Sequence, residues 1–209
     1  MNDKPSLLII GNSNVGKSSI TRLLLPNPKD FKGKAGKAPG STLLINKVYQ
    51  PPMDYQIVDL PGFGYMKHRS KRREEHIKNQ IVVHLEKYHQ DYFLALIVIN
   101  IIRIEDELLK YFIKNKKTIP LTFELINFLR ELGIPILIVI NKIDKLSNFD
   151  TKRSISLLLK TSSEFGLDLI NLDKFFNQKE AQIPYLEFSA LKKINLDKLK
   201  KVIKRYNYR

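Results

Sequence analysis

The chain has no cysteine in its 209 residues. That excludes disulfides, thiolate zinc sites and thiol nucleophiles. Long apolar runs are missing too: the longest, FLALIVI at 93–99, is far shorter than a membrane-spanning helix. The opening MNDKPSLLII has only four consecutive apolar residues before GNSN, too few for a secretory signal. There is no internal repeat and no low-complexity linker, so one domain over 1–209 is the economical expectation, in a soluble, cytoplasmic protein. Acidic residues are scarce, 21 Asp and Glu against 36 Lys and Arg, which leaves a formal charge of +15. A Lys-rich composition explains many of the cations but not the shortage of acids. The imbalance points to a polyanionic partner, nucleic acid ahead of membrane. The four histidines (68, 76, 84 and 89) lack paired metal-ligand spacing, and Glu74, Glu75 and Glu86 suit ion pairs on a helix surface.

Short apolar runs alternate with amphipathic stretches. Residues 7–10, 55–60, 93–100, 136–141 and 185–190 read as strands apolar on both faces, and 43–49 as an edge strand. Helices are expected over 16–25, 70–88, 122–132, 152–165 and 195–206, with Thr122 as an N-cap. The alternation predicts a three-layer α/β domain whose mostly parallel sheet of about six strands is flanked by helices. Residues 26–42, rich in Pro, Gly and Lys, form a loop without its own core. Residues 101–121 read as a short amphipathic insert after the fourth strand, either a surface excursion or a functional element.

Five signals then fall in order along the strand ends. The first is Gly11-Asn12-Ser13-Asn14-Val15-Gly16-Lys17-Ser18, a phosphate loop between strand and helix, followed by Ser19. Its glycines let successive N–H groups face phosphate oxygens; Lys17 reaches the β- and γ-phosphates and the Ser18 hydroxyl ligates magnesium. Asn141-Lys142-Ile143-Asp144 selects the base. The Asp144 carboxylate can accept from guanine's ring N–H and amino group, donors that adenine does not offer, while Asn141 braces the loop and Lys142 lies along the ring. Asp59, opening Asp59-Leu60-Pro61-Gly62, can hold magnesium through water, with the Gly62 N–H directed at the γ-phosphate. Thr42, in the turn with Gly40, can complete the metal shell when the γ-phosphate is present. Last, the backbone of Ser189 and Ala190 can contact the guanine oxygen. One rim of a parallel sheet would thus carry every contact.

The strings GNSNVGKSS, KAPGST, DLPGFGYM and the closing FSA resemble the EngB (YihA/YsxC) family, in the translation-factor class of P-loop GTPases. The likeness spans nearly the whole chain, and the insert and the LRELGIP–NKIDK segment are closer to archaeal members. It implies GTP and GDP as ligands, Mg2+ as cofactor and slow hydrolysis. It also implies a role in assembling the large ribosomal subunit, through rRNA or a pre-ribosomal particle, with a link to cell division.

Where Ras-like enzymes place glutamine after the D-x-x-G motif, this chain has Phe63, which cannot orient water. Lys17, Thr42, Gly62 and Asn14 are therefore the candidate catalytic groups, and Ser18, Thr42 and Asp59 the metal ligands. Asn14 has two readings: it only stabilises the loop, or its side chain helps bind a catalytic K+, as in related GTPases with Asn there. Lys67, Arg69, Lys71, Arg72 and Arg73, just past Gly62, are either an anion-binding face sensitive to nucleotide state or a solvated helix start. A further basic stretch runs through Lys192, Lys193, Lys198, Lys200, Lys201, Lys204 and Arg205. A ribosome-assembly switch, a signalling GTPase with protein effectors and an RNA-binding scaffold with structural nucleotide are the three functions to separate. Composition does not set the oligomeric state; a monomer is favoured.

Overall fold

The computed structural model describes residues 4–31, 45–62, 71–108, 119–175 and 182–208, without the side chains at 71–74 and 77. Its centre is a sheet of seven strands: β1 (Ser6–Gly11), β2 (Asn46–Val48), β3 (Gln56–Asp59), β4 (Tyr92–Asn100), β5 (Ile136–Asn141), β6 (Leu169–Asn171) and β7 (Ile183–Glu187). Their order is β2-β3-β1-β4-β5-β7-β6, parallel throughout except for β2, which runs antiparallel to β3 at one edge. The seventh strand, β6, was not expected; three residues at the opposite edge are too few to register as an apolar run.

Continuous apolar runs are needed because the central strands are covered on both faces. Alternation within β1 shows how: Leu8 and Ile10 enter one core, Leu7 and Ile9 the other. The first core is closed by Ile81 and Leu85 of α2 (Lys71–Tyr88), Ile104 and Leu108 of α3 (Ile104–Leu108), Phe123 and Leu129 of α4 (Leu121–Glu131), and Ile155 and Leu158 of α5 (Asn148–Glu164). The second is closed by Ile20 and Leu24 of α1 (Lys17–Leu24), Leu172 of α6 (Leu172–Phe175), and Leu199 and Ile203 of α7 (Leu196–Asn207).

The helix starts carry two corrections. Helix α4 begins at Leu121, with Pro120 and not Thr122 at its N-cap. The proline ring holds φ at −56° and its carbonyl takes the first helical bonds, from Phe123 N at 2.8 Å and Glu124 N at 3.2 Å, leaving Thr122 inside the helix. Helix α5 starts at Asn148, four residues before the expected boundary, because Ser147 caps it by accepting from Asp150 N at 3.1 Å. Parallel pairing then aligns the C-terminal ends that matter: Asn100 lies opposite Asn141, and Gly11 opposite Val98.

Candidate nucleotide-binding site

The phosphate loop leaves β1 at Gly11 and enters α1 through Gly16, which has φ +107°. A side chain at Gly16 would be strained by that backbone and would also strike the Asn141 amide. Lys17 folds back over the loop, donating from Nζ to Gly11 O at 3.0 Å and Asn12 O at 2.9 Å. Burial lowers its ammonium from 10.5 to about 8, against the opposing pull of Asp59. Asp59 is also buried, which raises its carboxyl from 3.8 to about 6, while Lys17 and a hydrogen bond from Ser18 pull it down. The Ser18 hydroxyl donates to Asp59 Oδ2 at 3.2 Å, and among the described residues no group donates to the buried Oδ1. Gly62 packs against the loop so closely that an added Cβ would lie 2.7–2.8 Å from Ser13 Oγ, Cα and N.

The base-reading motif is tied to this loop. The Asn141 amide donates from Nδ2 to Val15 O at 2.8 Å and accepts at Oδ1 from Ala190 N at 3.0 Å. Lys142, itself left-handed with φ 70°, donates to the Asn14 carbonyl at 2.7 Å. Burial, then repulsion from Arg103, lowers its ammonium from the ordinary range. Ser189 is fully buried and donates from Oγ to Asp144 Oδ1 at 2.6 Å, fixing the carboxylate. Ile143 N donates to Phe188 O at 3.3 Å, a second tie between the two loops. The pieces at 11–18, 59–62, 141–144 and 189–190 therefore meet on one rim of the sheet. Ser19 is exposed on the first turn of α1, its N–H donating to Gly16 O at 3.1 Å. Gly40, Thr42, Phe63, Lys67 and Arg69 lie outside the described residues, as do the side chains of Lys71, Arg72 and Arg73.

Three features escape a sequence reading. The Ser189 hydroxyl, and not only its backbone, supports Asp144. Asn100 accepts from Ile102 N at 3.2 Å and turns the chain sharply after β4. The chain then enters α3, which meets the phosphate loop where Asn12 Nδ2 donates to Glu107 Oε1 at 3.1 Å. The insert thus touches the nucleotide cradle, a contact between residues 95 positions apart that no local motif announces.

A glycine-bent loop between strand and helix, cross-braced to a buried Asn at the end of β5, with a fixed Asp in the turn that follows, defines a P-loop protein built for guanine nucleotides. Residues 6–142 match the family model described as a 50S ribosome-binding GTPase, and residues 94–208 that of the elongation factor Tu GTP-binding domain. Two archaeal proteins, each described as "Probable GTP-binding protein EngB", are 33% identical. The Methanococcus aeolicus protein aligns over 76% of this chain and 66% of its own length, and the Pyrococcus horikoshii protein over 82% and 73%. A crystal structure described as a probable GTP-binding protein engB is 26% identical, with a TM-score of 0.73, covering 97% of this chain and 98% of that one. Aquifex aeolicus Era, 23% identical with a TM-score of 0.59 over 96% of this chain and 56% of its own, shares the fold. This chain belongs to the EngB family of P-loop GTPases. Among the described residues no helix is long and apolar enough to cross a membrane.

Proposed function

We propose that this single G domain hydrolyses GTP to GDP and phosphate, and that the change of nucleotide switches its binding to a precursor of the large ribosomal subunit. The carrying observation is the Ser189–Asp144 hydrogen bond at 2.6 Å, joined through Asn141 to the phosphate loop. One rigid unit can then select guanine and hold its phosphates. The ribosomal half of the reading is supported by the 50S ribosome-binding description of the matched family and by the +15 charge. A role in cell division belongs to the same proposal.

In this reading Asp144 accepts from the guanine ring N–H and amino group, Lys142 covers the base, and Ala190 lies by its oxygen. Loop N–H groups from Asn12 to Ser18, with Lys17, would take the phosphates, with Ser19 closing the loop onto Gly16; the Gly62 N–H would meet the γ-phosphate, and Gly40 and Thr42 are proposed to contact it too. Magnesium fits the donors present: a hydroxyl and a carboxylate 3.2 Å apart, with a buried carboxylate oxygen that has no partner among the described residues. Ser18, Asp59 and Thr42 would hold it, and the ion supplies positive charge to the phosphate oxygens. Phe63 offers water no hydrogen bond, so intrinsic turnover is slow. Asn14, exposed and left-handed at φ 63°, is proposed to help hold K+; equal hydrolysis rates in KCl and NaCl would remove that role.

The function is tested by sedimenting the protein with pre-ribosomal particles in GTP, a non-hydrolysable analogue, and GDP. Co-sedimentation that depends on the triphosphate is expected; the same recovery in every nucleotide state rejects the switch.

A further inference from the structure

Just beyond Ser189, the chain makes a surface turn that is held from several sides. Ile194 N donates to Ser189 O at 3.1 Å, Ser189 N returns a bond to Ile194 O at 3.4 Å, and Asn195 Nδ2 donates to Glu187 O at 2.8 Å. Lys193 and Asn195, neither of them glycine, take left-handed φ values of 57° and 61°. Asn adopts this conformation readily, but Lys does so only where surrounding contacts hold it, and such positions gather at functional sites. The turn displays Leu191, Lys192 and Lys193 to solvent. It feeds α7, whose Leu199, Val202, Ile203 and Tyr206 are buried while Lys200, Lys201 and Lys204 face water. Among the described residues, none of these five lysines forms an ion pair with a carboxylate. Lys200 and Lys204 stand one turn apart, about 6 Å along the axis.

We infer that the 191–194 turn and the lysine face of α7 form a docking surface for the phosphate backbone of RNA, coupled to the guanine site. The inference rests on the ribosomal reading above and gives it a place on the molecule. Lysines on a rigid helix supply point charges for phosphates without reading sequence. A bilayer is the poorer partner because the apolar face of α7 is spent in the core, leaving only the separate Leu191, Ile194 and Tyr208 exposed and no continuous apolar face to insert. At the far end, Tyr208 is 65% exposed with Lys204 Nζ 6.0 Å from its ring, a flat surface on which an unpaired base can stack.

The coupling has a physical route. Lys192 N donates to Ser189 Oγ at 3.0 Å, and that hydroxyl donates to Asp144. RNA that shifts the turn acts on the group fixing the guanine-reading carboxylate, and by linkage the nucleotide acts on RNA affinity by the same factor.

The test uses the full chain, a fluorescein-labelled hairpin RNA with a single-stranded loop, anisotropy over a KCl series, and two variants, K200E/K201E/K204E and K192E/K193E. Far-UV circular dichroism and a thermal melt that match wild type confirm that both are folded. The triple variant is expected to weaken RNA binding at least tenfold and to flatten the log–log salt slope by about 2–3, since each lost phosphate contact removes about 0.7–0.9. Saturating RNA should change wild-type GDP affinity about fivefold or more, and leave that of K192E/K193E unaltered. Retention of wild-type RNA affinity and coupling by both variants overturns this surface while the ribosomal reading stands. Failure of the wild type to bind RNA, with triphosphate-dependent co-sedimentation intact, also overturns the surface alone; failure of both removes the reading itself. Tighter binding to poly-glutamate or to phosphatidylserine vesicles than to RNA would likewise overturn it.

Discussion

Asp59 ends β3 and Asp144 sits in the turn just after β5, on the same rim of the sheet, yet their surroundings divide their work. Asp144 already accepts the Ser189 hydroxyl, so its orientation is set before any base arrives. Hydrogen bonds to a charged acceptor are worth about 1.5–3 kcal/mol each. Asp144→Ala should therefore weaken GDP binding about 100-fold or more and erase the preference over ADP, as read by calorimetry. Asp59 is different: burial raises its carboxyl from 3.8 to about 6, so the folded state holds that proton more tightly than the unfolded chain. Its contribution to stability is present at low pH and is lost as pH rises through the interval from about 4 to about 6. Lys17 is lowered from 10.5 to about 8 and imposes its own cost below that point, relieved only at higher pH. Without metal or nucleotide, wild type should lose about 2 kcal/mol relative to Asp59→Asn between pH 4.5 and 6.5, in urea denaturation. A pH-independent difference would mean an ordinary carboxyl.

At the scale of the elements, the phosphate loop and α1 were legible because glycine, lysine and serine at fixed spacing satisfy one local geometry. Helix α5 was less so: Lys152 looked like a start, but Ser147 accepts from Asp150 N and places the boundary earlier. Ser147→Ala should cost about 1 kcal/mol in chemical denaturation, without altering GDP affinity. Pro120 displaced Thr122 at α4 for a comparable reason, since the backbone constraint at proline outranks side-chain capping preference there. Strand β6 and the Asn12–Glu107 contact were not legible at all. The first is three residues long, and the second depends on where β4 delivers α3.

For the molecule as a whole, two cores on either side of one sheet position four distant segments to within hydrogen-bonding distance. A ligand that bridges them stabilises the folded state alone. At about 100 times its Kd, GDP with Mg2+ should stabilise the protein by about 2.7 kcal/mol. For a chain of this size that raises Tm by about 5–10 °C in a thermal-shift assay. ATP with Mg2+ should produce no comparable shift. Equal shifts with ATP and GDP would contradict guanine selection by Asp144.

Sequence alone determined the alternation of strand and helix, the glycines where backbone must bend, and the lysine, serine and carboxylates that nucleotide chemistry requires. These follow from local sterics, burial period and residue chemistry, none of which needs a distant partner. Only the tertiary structure decided that Asn141 holds the phosphate loop at the Val15 carbonyl, that the Ser189 hydroxyl anchors Asp144, and that Glu107 reaches Asn12. Those contacts join residues far apart in the chain, and their distances exist only after parallel register has aligned the strand ends.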